Sequence, residues 1–199
     1  MRTPVGWTAL VALVLMIGAG LGACSGTPPS RFYMLDRDTD AAAPSAGPVV
    51  FVDQVTVVTY ADRSQFVTRA EGGRVRFEEF DVWAEPISEQ LTRYLVDALG
   101  SRFGYDRVLT TPPRRAFDPD WRIVVDVLRL DTDQAGAVIL DARWTLFAGR
   151  DEAFAGTGRE RIVEPADPDD VPTRLPALQR ALDALADRIV NDMTVPRRR

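Results

Sequence analysis

The chain has 199 residues, 24 basic and 29 acidic, with no His and a single Cys; every basic residue is Arg. These absences exclude Ser-His-Asp and Cys-His catalysis, His-containing zinc sites, disulfides within the chain, Schiff-base lysine chemistry and a phosphate-binding loop lysine. A net charge of −5 also argues against nucleic acid, because an acidic chain gains no counterion release on a phosphate backbone.

The N-terminal segment carries one charge, Arg2, and then an uncharged apolar stretch from Thr8 to Leu21. It closes on Leu21-Gly22-Ala23-Cys24, small residues followed by the only thiol. This is the layout of a secretory signal with its cleavage site, and the final Cys makes it resemble a bacterial lipobox. The apolar stretch reaches only roughly 21 Å as a helix, short of a hydrocarbon core of about 30 Å. Residues 1–23 are therefore read as a lipoprotein signal peptide and Cys24 as the acylated mature N-terminus. No other cofactor and no metal are expected. Removing residues 1–23 takes away one Arg and no acid, so the mature chain carries −6.

Residues 24–48 read as a lipidated tether. Ser25 to Ser30 and the Ala/Pro-rich stretch from Asp36 to Pro48 cannot bury a core. Arg31-Phe32-Tyr33-Met34-Leu35 interrupts them with a short, sticky, strand-like segment. Unless Phe32 to Leu35 docks, the folded body could float several nanometres from its membrane, at ~3.3–3.6 Å per residue.

A folded domain is predicted over 49–195. Val49 to Tyr60 reads as one strand with Val50, Val52, Thr56 and Val58 on one face. Ser64 to Arg69 and Arg74 to Glu79 read as two strands joined by a Glu71-Gly72-Gly73 turn. A helix begins near Pro86, a residue suited to a first turn. Ile87, Leu91, Leu95 and Leu99, joined by Tyr94 and Ala98, form its apolar stripe, and Gly100 is expected to end it. A Pro-rich loop, Thr110 to Pro119, precedes a strand from Trp121 to Leu130 whose phase shifts after Val127, the mark of a bulge. Ala137 to Phe147 alternates with Val138, Leu140, Ala142, Trp144 and Leu146 inward and Asp141, Arg143 and Thr145 outward. Phe154 to Val163 completes a meander. Leu175, Leu178, Leu182, Leu185, Ile189 and Met193 make one stripe on a last helix that Pro196 stops, and residues 196–199 form a basic tail. The order predicts a single α+β or α/β domain, a mainly antiparallel or mixed sheet with two principal helices packed on it. There is no internal repeat.

Few constellations suggest chemistry. Asp131-Thr132-Asp133 with Gly136 has the start of a calcium loop, but position 5 is Ala135 and position 12 is Ala142, so the turn reading prevails. Glu78-Glu79 and Asp169-Asp170 are adjacent carboxylates that a strand would point to opposite faces. The most distinctive run is Phe80-Asp81-Val82-Trp83-Ala84-Glu85-Pro86. It reads either as a strand-to-helix corner with Trp83 packed beneath the helix start, or as an aromatic corner facing a partner. Phe80, Asp81, Trp83, Glu85 and Pro86 are its candidate partner-binding residues.

Cys24, Pro28 to Leu35, the run Tyr60-Ala61-Asp62-Arg63-Ser64-Gln65-Phe66-Val67-Thr68-Arg69 and the Phe80 to Pro86 corner together resemble the PqiC family of ABC-type transport auxiliary lipoproteins. Ser64 departs from the pattern, since relatives usually carry Pro after Asp-Arg. The resemblance implies an anticodon-binding-like fold, a homo-oligomer that could form a ring, and a periplasm-facing lipoprotein of the outer membrane. Implied partners are an MCE-domain protein, its ABC permease and ATPase, and outer-membrane lipid. Ser25 is not the Asp that retains lipoproteins at the inner membrane. The expectation is a non-enzymatic accessory subunit of envelope lipid transport; the alternative is a structural or assembly lipoprotein without a lipid path.

Overall fold

The computed structural model describes residues 28–37, 47–111, 118–168 and 170–194. In chain order the elements are β1 (Arg31–Tyr33), β2 (Val50–Val52), β3 (Thr56–Val57), β4 (Gln65–Arg69), β5 (Val75–Trp83), α1 (Ile87–Phe103), β6 (Val108–Leu109), β7 (Trp121–Thr132), β8 (Val138–Ala148), β9 (Ala153–Glu164) and α2 (Arg174–Thr194). Cys24, residues 112–117, Asp169 and the 196–199 tail lie outside the described residues.

The long strand β7 organises a single mixed sheet. One of its edges pairs antiparallel with β8, which pairs antiparallel with β9. The other edge receives β2, β3 and β4 in parallel, one after another along its length. The sheet branches there. From β2 it continues to β6, and from β4 through antiparallel β5 to parallel β1. The expected irregularity in β7 falls between Val127 and Arg129, where one extra residue re-phases the strand.

Both helices cover one face. The α2 stripe buries Leu178, Leu182, Leu185 and Ile189, with Leu175 and Met193 at its margins. On α1, Ile87, Leu91, Leu95, Ala98 and Leu99 are buried as the spacing predicts. The Tyr94 hydroxyl donates to the Gln179 carbonyl at 3.3 Å, tying the two helices. Burial, and then the nearby Asp183 charge, push the Tyr94 phenol up to about 12.

Five local expectations change. Val49 to Tyr60 is two strands, because Val55 turns inward and its N–H donates to the buried Thr92 hydroxyl at 2.9 Å. Thr56 then faces out and donates to Asp126 at 2.6 Å. The strand expected to stop at Glu79 runs on to Trp83, so Phe80 to Trp83 belongs to the sheet and the bend is confined to Ala84 and Glu85. Pro86 is the N-cap of α1 rather than part of its first turn. Gly100 sits inside the helix, where a Cβ would collide with the Tyr105 ring; the helix stops at Gly104, whose φ of 112° suits glycine. Asp141 does lie on the outward face of β8, yet it is only 3% exposed because Arg159 and Arg161 close over it at 2.8 and 3.0 Å.

Candidate functional site

Three segments far apart in sequence meet at the β1 end of the sheet. The first is β1, which pairs with the last residues of β5: Arg31 lies opposite Asp81, Phe32 opposite Val82 and Tyr33 opposite Trp83. The second runs from Asp62 into β4, and the Ser64 carbonyl accepts the Trp83 N–H at 2.6 Å. The third is the Phe80 to Pro86 run itself. Phe66 stacks on Trp83 with ring centroids 4.0 Å apart, and Tyr33 meets Phe66 edge-on at 5.2 Å.

Asp81 is the polar centre of this junction. Arg31 binds it through two nitrogens at 2.7 and 2.8 Å, and the Tyr33 hydroxyl donates to it at 2.8 Å. Burial alone would push its carboxyl up, but the Arg31 and Tyr33 hydrogen bonds outweigh that and hold it below the ordinary carboxylate range. Burial, and then the bond to Asp81, push the Tyr33 phenol up.

Behind Asp81 a second buried charge is paired with a carboxylate. Arg174, at the start of α2 and 3% exposed, meets Glu78 and Thr68, each at 3.2 Å, and donates to the Pro168 carbonyl. Glu78 is held below its usual range, since Thr68 and Arg174 more than offset the upward push of burial. The Arg174 Nε meets no partner among the described residues. A cavity of about 30 Å³ lies beside it, between Phe66, Trp83 and Leu178, with room for a water.

Gln90 completes the junction. It is fully buried; its Oε1 accepts the Leu35 N–H at 2.7 Å and its Nε2 donates to the Glu85 carbonyl at 2.9 Å. The chain just after β1 is thereby stitched to α1. A signal for Gln90 was present in the sequence: it lies three residues after Ile87 and four before Tyr94, on the apolar face. Nothing local marked Arg31, Tyr33 or Arg174 as the partners of buried carboxylates, because those contacts span about 50 to 100 residues of chain.

The candidate partner-binding residues therefore divide. Asp81 and Trp83 are buried, at 5% and 7% exposure, and build the junction from within. Phe80 is half-buried on β5. Glu85 and Pro86 reach the surface, with Glu85 paired to Arg93 at 2.7 Å. Together with Asp62, Arg63, Ser64 and Ala84 they line an open cleft of about 360 Å³. Asp131, from the discounted calcium-like run, receives the Tyr60 hydroxyl at 2.6 Å and the guanidinium groups of Arg69 and Arg129. Among the described residues no cluster of three or more His, Cys, Asp or Glu could hold a metal, and no helix is long and apolar enough to cross a membrane.

Comparison with known proteins gives both the fold and a family. No curated protein matches the chain at a significant level. A crystal structure of an uncharacterised protein, 18% identical, superposes with a TM-score of 0.69 over 84% of this chain and 100% of its own. Protein XCC0632 from Xanthomonas campestris, also 18% identical, gives a TM-score of 0.63 over 80% of this chain and 92% of its own. At these identities the two establish the shared fold. The model of the ABC-type transport auxiliary lipoprotein component family matches residues 33–190, a span that takes in Tyr33, the Phe66–Trp83 stack, Gln90 and nearly all of α2. The chain belongs to the ABC-type transport auxiliary lipoprotein component family.

Proposed function

We propose that this protein is a non-enzymatic, lipid-anchored accessory subunit of an ABC-type envelope transport system that moves lipid together with an MCE-domain partner. It would act from the periplasmic face of the outer membrane, held there through Cys24. The observation that carries the reading is family membership across residues 33–190. The lipobox-like sequence ending at Cys24 and the Ser at position 25 support the anchor and its membrane. A chain without Lys has no phosphate-loop lysine, so ATP would be spent by a separate subunit. In this reading Glu85 and Pro86 contact the partner at the cleft they line, Phe80 flanks it, and Asp81 and Trp83 hold its shape. Self-association into a ring belongs to the same proposal.

The test is co-purification of the full lipidated chain from its own host, with mass spectrometry of the captured proteins for an MCE-domain partner and of bound lipid. Capture of that partner together with phospholipid is the expected result. Capture of neither sinks the transport reading and leaves an assembly or structural lipoprotein. Cys24→Ala should leave a folded chain that no longer fractionates with membranes. If that variant stays in the membrane fraction after a high-salt wash, lipidation is not the anchor.

A further inference from the structure

We infer that the outward side of β1 and of the residue after it, formed by Phe32 and Met34, rests on the lipid surface that Cys24 is anchored in, so that the domain lies against the membrane in one orientation. The inference builds on acylation of Cys24, proposed above, and adds the surface that meets the bilayer.

Along β1 and the two residues after it, the side chains divide between two sides. Tyr33 turns to Asp81 and Phe66 and Leu35 enters the core, while Arg31 reaches across to Asp81 with its own side chain still exposed. Phe32 and Met34 turn the other way and are 70% and 48% exposed. A single exposed apolar side chain is ordinary. Two neighbouring ones on one side of an edge strand, largely uncovered among the described residues, form a small apolar contact surface.

The covalent path from Cys24 decides what that surface meets. The sequence leaves open whether Phe32 to Leu35 docks within the 24–48 tether, and β1 is fastened to the domain. Arg31 grips Asp81 through two nitrogens, the Ala84 N–H donates to the Tyr33 carbonyl at 2.8 Å, and the Leu35 N–H donates to Gln90 at 2.7 Å. The covalent connection from Cys24 therefore meets the fastened strand at Arg31, seven residues on. Fully extended it spans at most ~25 Å. That is shorter than the domain is wide: a chain of this size has a radius of gyration of about 15 Å, hence a diameter near 40 Å. Phe32 lies one residue beyond the attachment point, so it stays within ~29 Å of the anchored residue. A tether this short presents lipid at a millimolar-scale effective concentration, so two side chains suffice to set orientation even though they would not recruit a free protein. Phe154, equally exposed at 67%, lies on β9, five strands along the sheet from β1 at its other edge. No tether holds it near lipid.

The experiment uses the acylated full chain on vesicles of phosphatidylethanolamine and phosphatidylglycerol. With Cys24 consumed by lipid, a cysteine introduced by Met34→Cys or, as a control, Phe154→Cys is the one free thiol and takes a solvatochromic dye. At position 34 the dye should shift to the blue and be quenched by lipids carrying a headgroup nitroxide; at position 154 it should do neither. Phe32→Ser should weaken the quenching at 34. A Gly/Ser insert of about 20 residues between Cys24 and Pro28 should reduce lipid occupancy at 34 about eight-fold, following the −3/2 power of length. Equal quenching at 34 and 154 on a chain that floats with the vesicles overturns the inference and leaves the anchor standing. A chain that lacks the acyl mass and fails to float overturns both. If the Cys24→Ala chain shields position 34 without vesicles and doubles in size, a second copy covers this surface, and the lipid contact is overturned.

Discussion

At the scale of single residues, the junction depends on how few alternatives its polar groups have. Asp81 is nearly buried and its oxygens are taken by Arg31 and Tyr33. A hydrogen bond to a charged group contributes about 1.5–3 kcal/mol, and Tyr33 keeps its ring contact with Phe66 when the hydroxyl is removed. Tyr33→Phe should therefore cost about 1.5 kcal/mol in a urea titration, with the largest rise in amide exchange at Ala84, whose N–H is bonded to the Tyr33 carbonyl. A uniform rise in exchange across the sheet would mean that the bond is not local to β1. Gly158 offers a test of packing instead. A Cβ there would run into the Trp144 ring, whose indole N–H donates to Asp192 at 3.0 Å. Gly158→Ala should destabilise by about 1–3 kcal/mol through overpacking. It should also shift tryptophan fluorescence, because the indole must move from its place between β9 and α2.

At the scale of elements, what could be read in the sequence was what a local period encodes. The α2 stripe from Leu175 to Met193 and the alternation over Val138 to Leu146 each repeat one geometry long enough to exclude another, and both elements stand where that period put them. The β2–β3 break could not be read this way. Val50, Val52, Thr56 and Val58 keep a period of two, and the interruption comes from α1, whose Thr92 draws in the Val55 N–H. Strand β6 is two residues long and exists because β2 offers an open edge, which no propensity signals. The same holds for the junction: the Trp83 corner stood out by composition, but its partners Arg31 and Phe66 arrive through the sheet. Gly100 misled for a related reason, since glycine serves there for close approach of Tyr105 rather than for a turn. These distinctions fix which change should hurt. Leu182 is fully buried on the α2 stripe, so Leu182→Ala should cost about 2–5 kcal/mol by chemical denaturation. Leu175, at the margin of the same stripe, should cost clearly less on the same substitution. Equal losses would mean that α2 is not seated by that face.

At the scale of the whole molecule, the absence of His decides the shape of the stability profile against pH. Asp81, Glu78, Asp126 and Asp141 are all held below the ordinary carboxylate range. For Asp126 the cause is the bonds from Thr56 and Arg143, and for Asp141 the bonds from Arg159 and Arg161; for Asp81 and Glu78 such bonds override burial. A carboxyl with a depressed folded value takes up a proton in the unfolded chain first. Its contribution is therefore complete above the unfolded value of about 4 and is lost as the pH falls through the folded values. Asp97, raised by burial, works in the opposite sense and offsets a fraction of this. On the alkaline side Tyr94, raised to about 12, gives stability that is whole below the unfolded phenol value of about 10 and is lost as the pH rises through the folded one. Between those limits no side chain of ordinary pKa titrates near neutrality, because the usual switch residue is missing. Urea midpoints measured from pH 3 to pH 10 should thus trace a flat plateau from about 5 to about 9, with a steep acid limb. Asp141→Asn should lower the plateau and make the acid limb shallower, since it removes one of the groups that builds that limb. A step in stability between pH 6 and pH 8 in the unmodified chain would contradict the assignment, for it would require a buried group titrating at neutrality that this arrangement of Arg–carboxylate pairs does not contain.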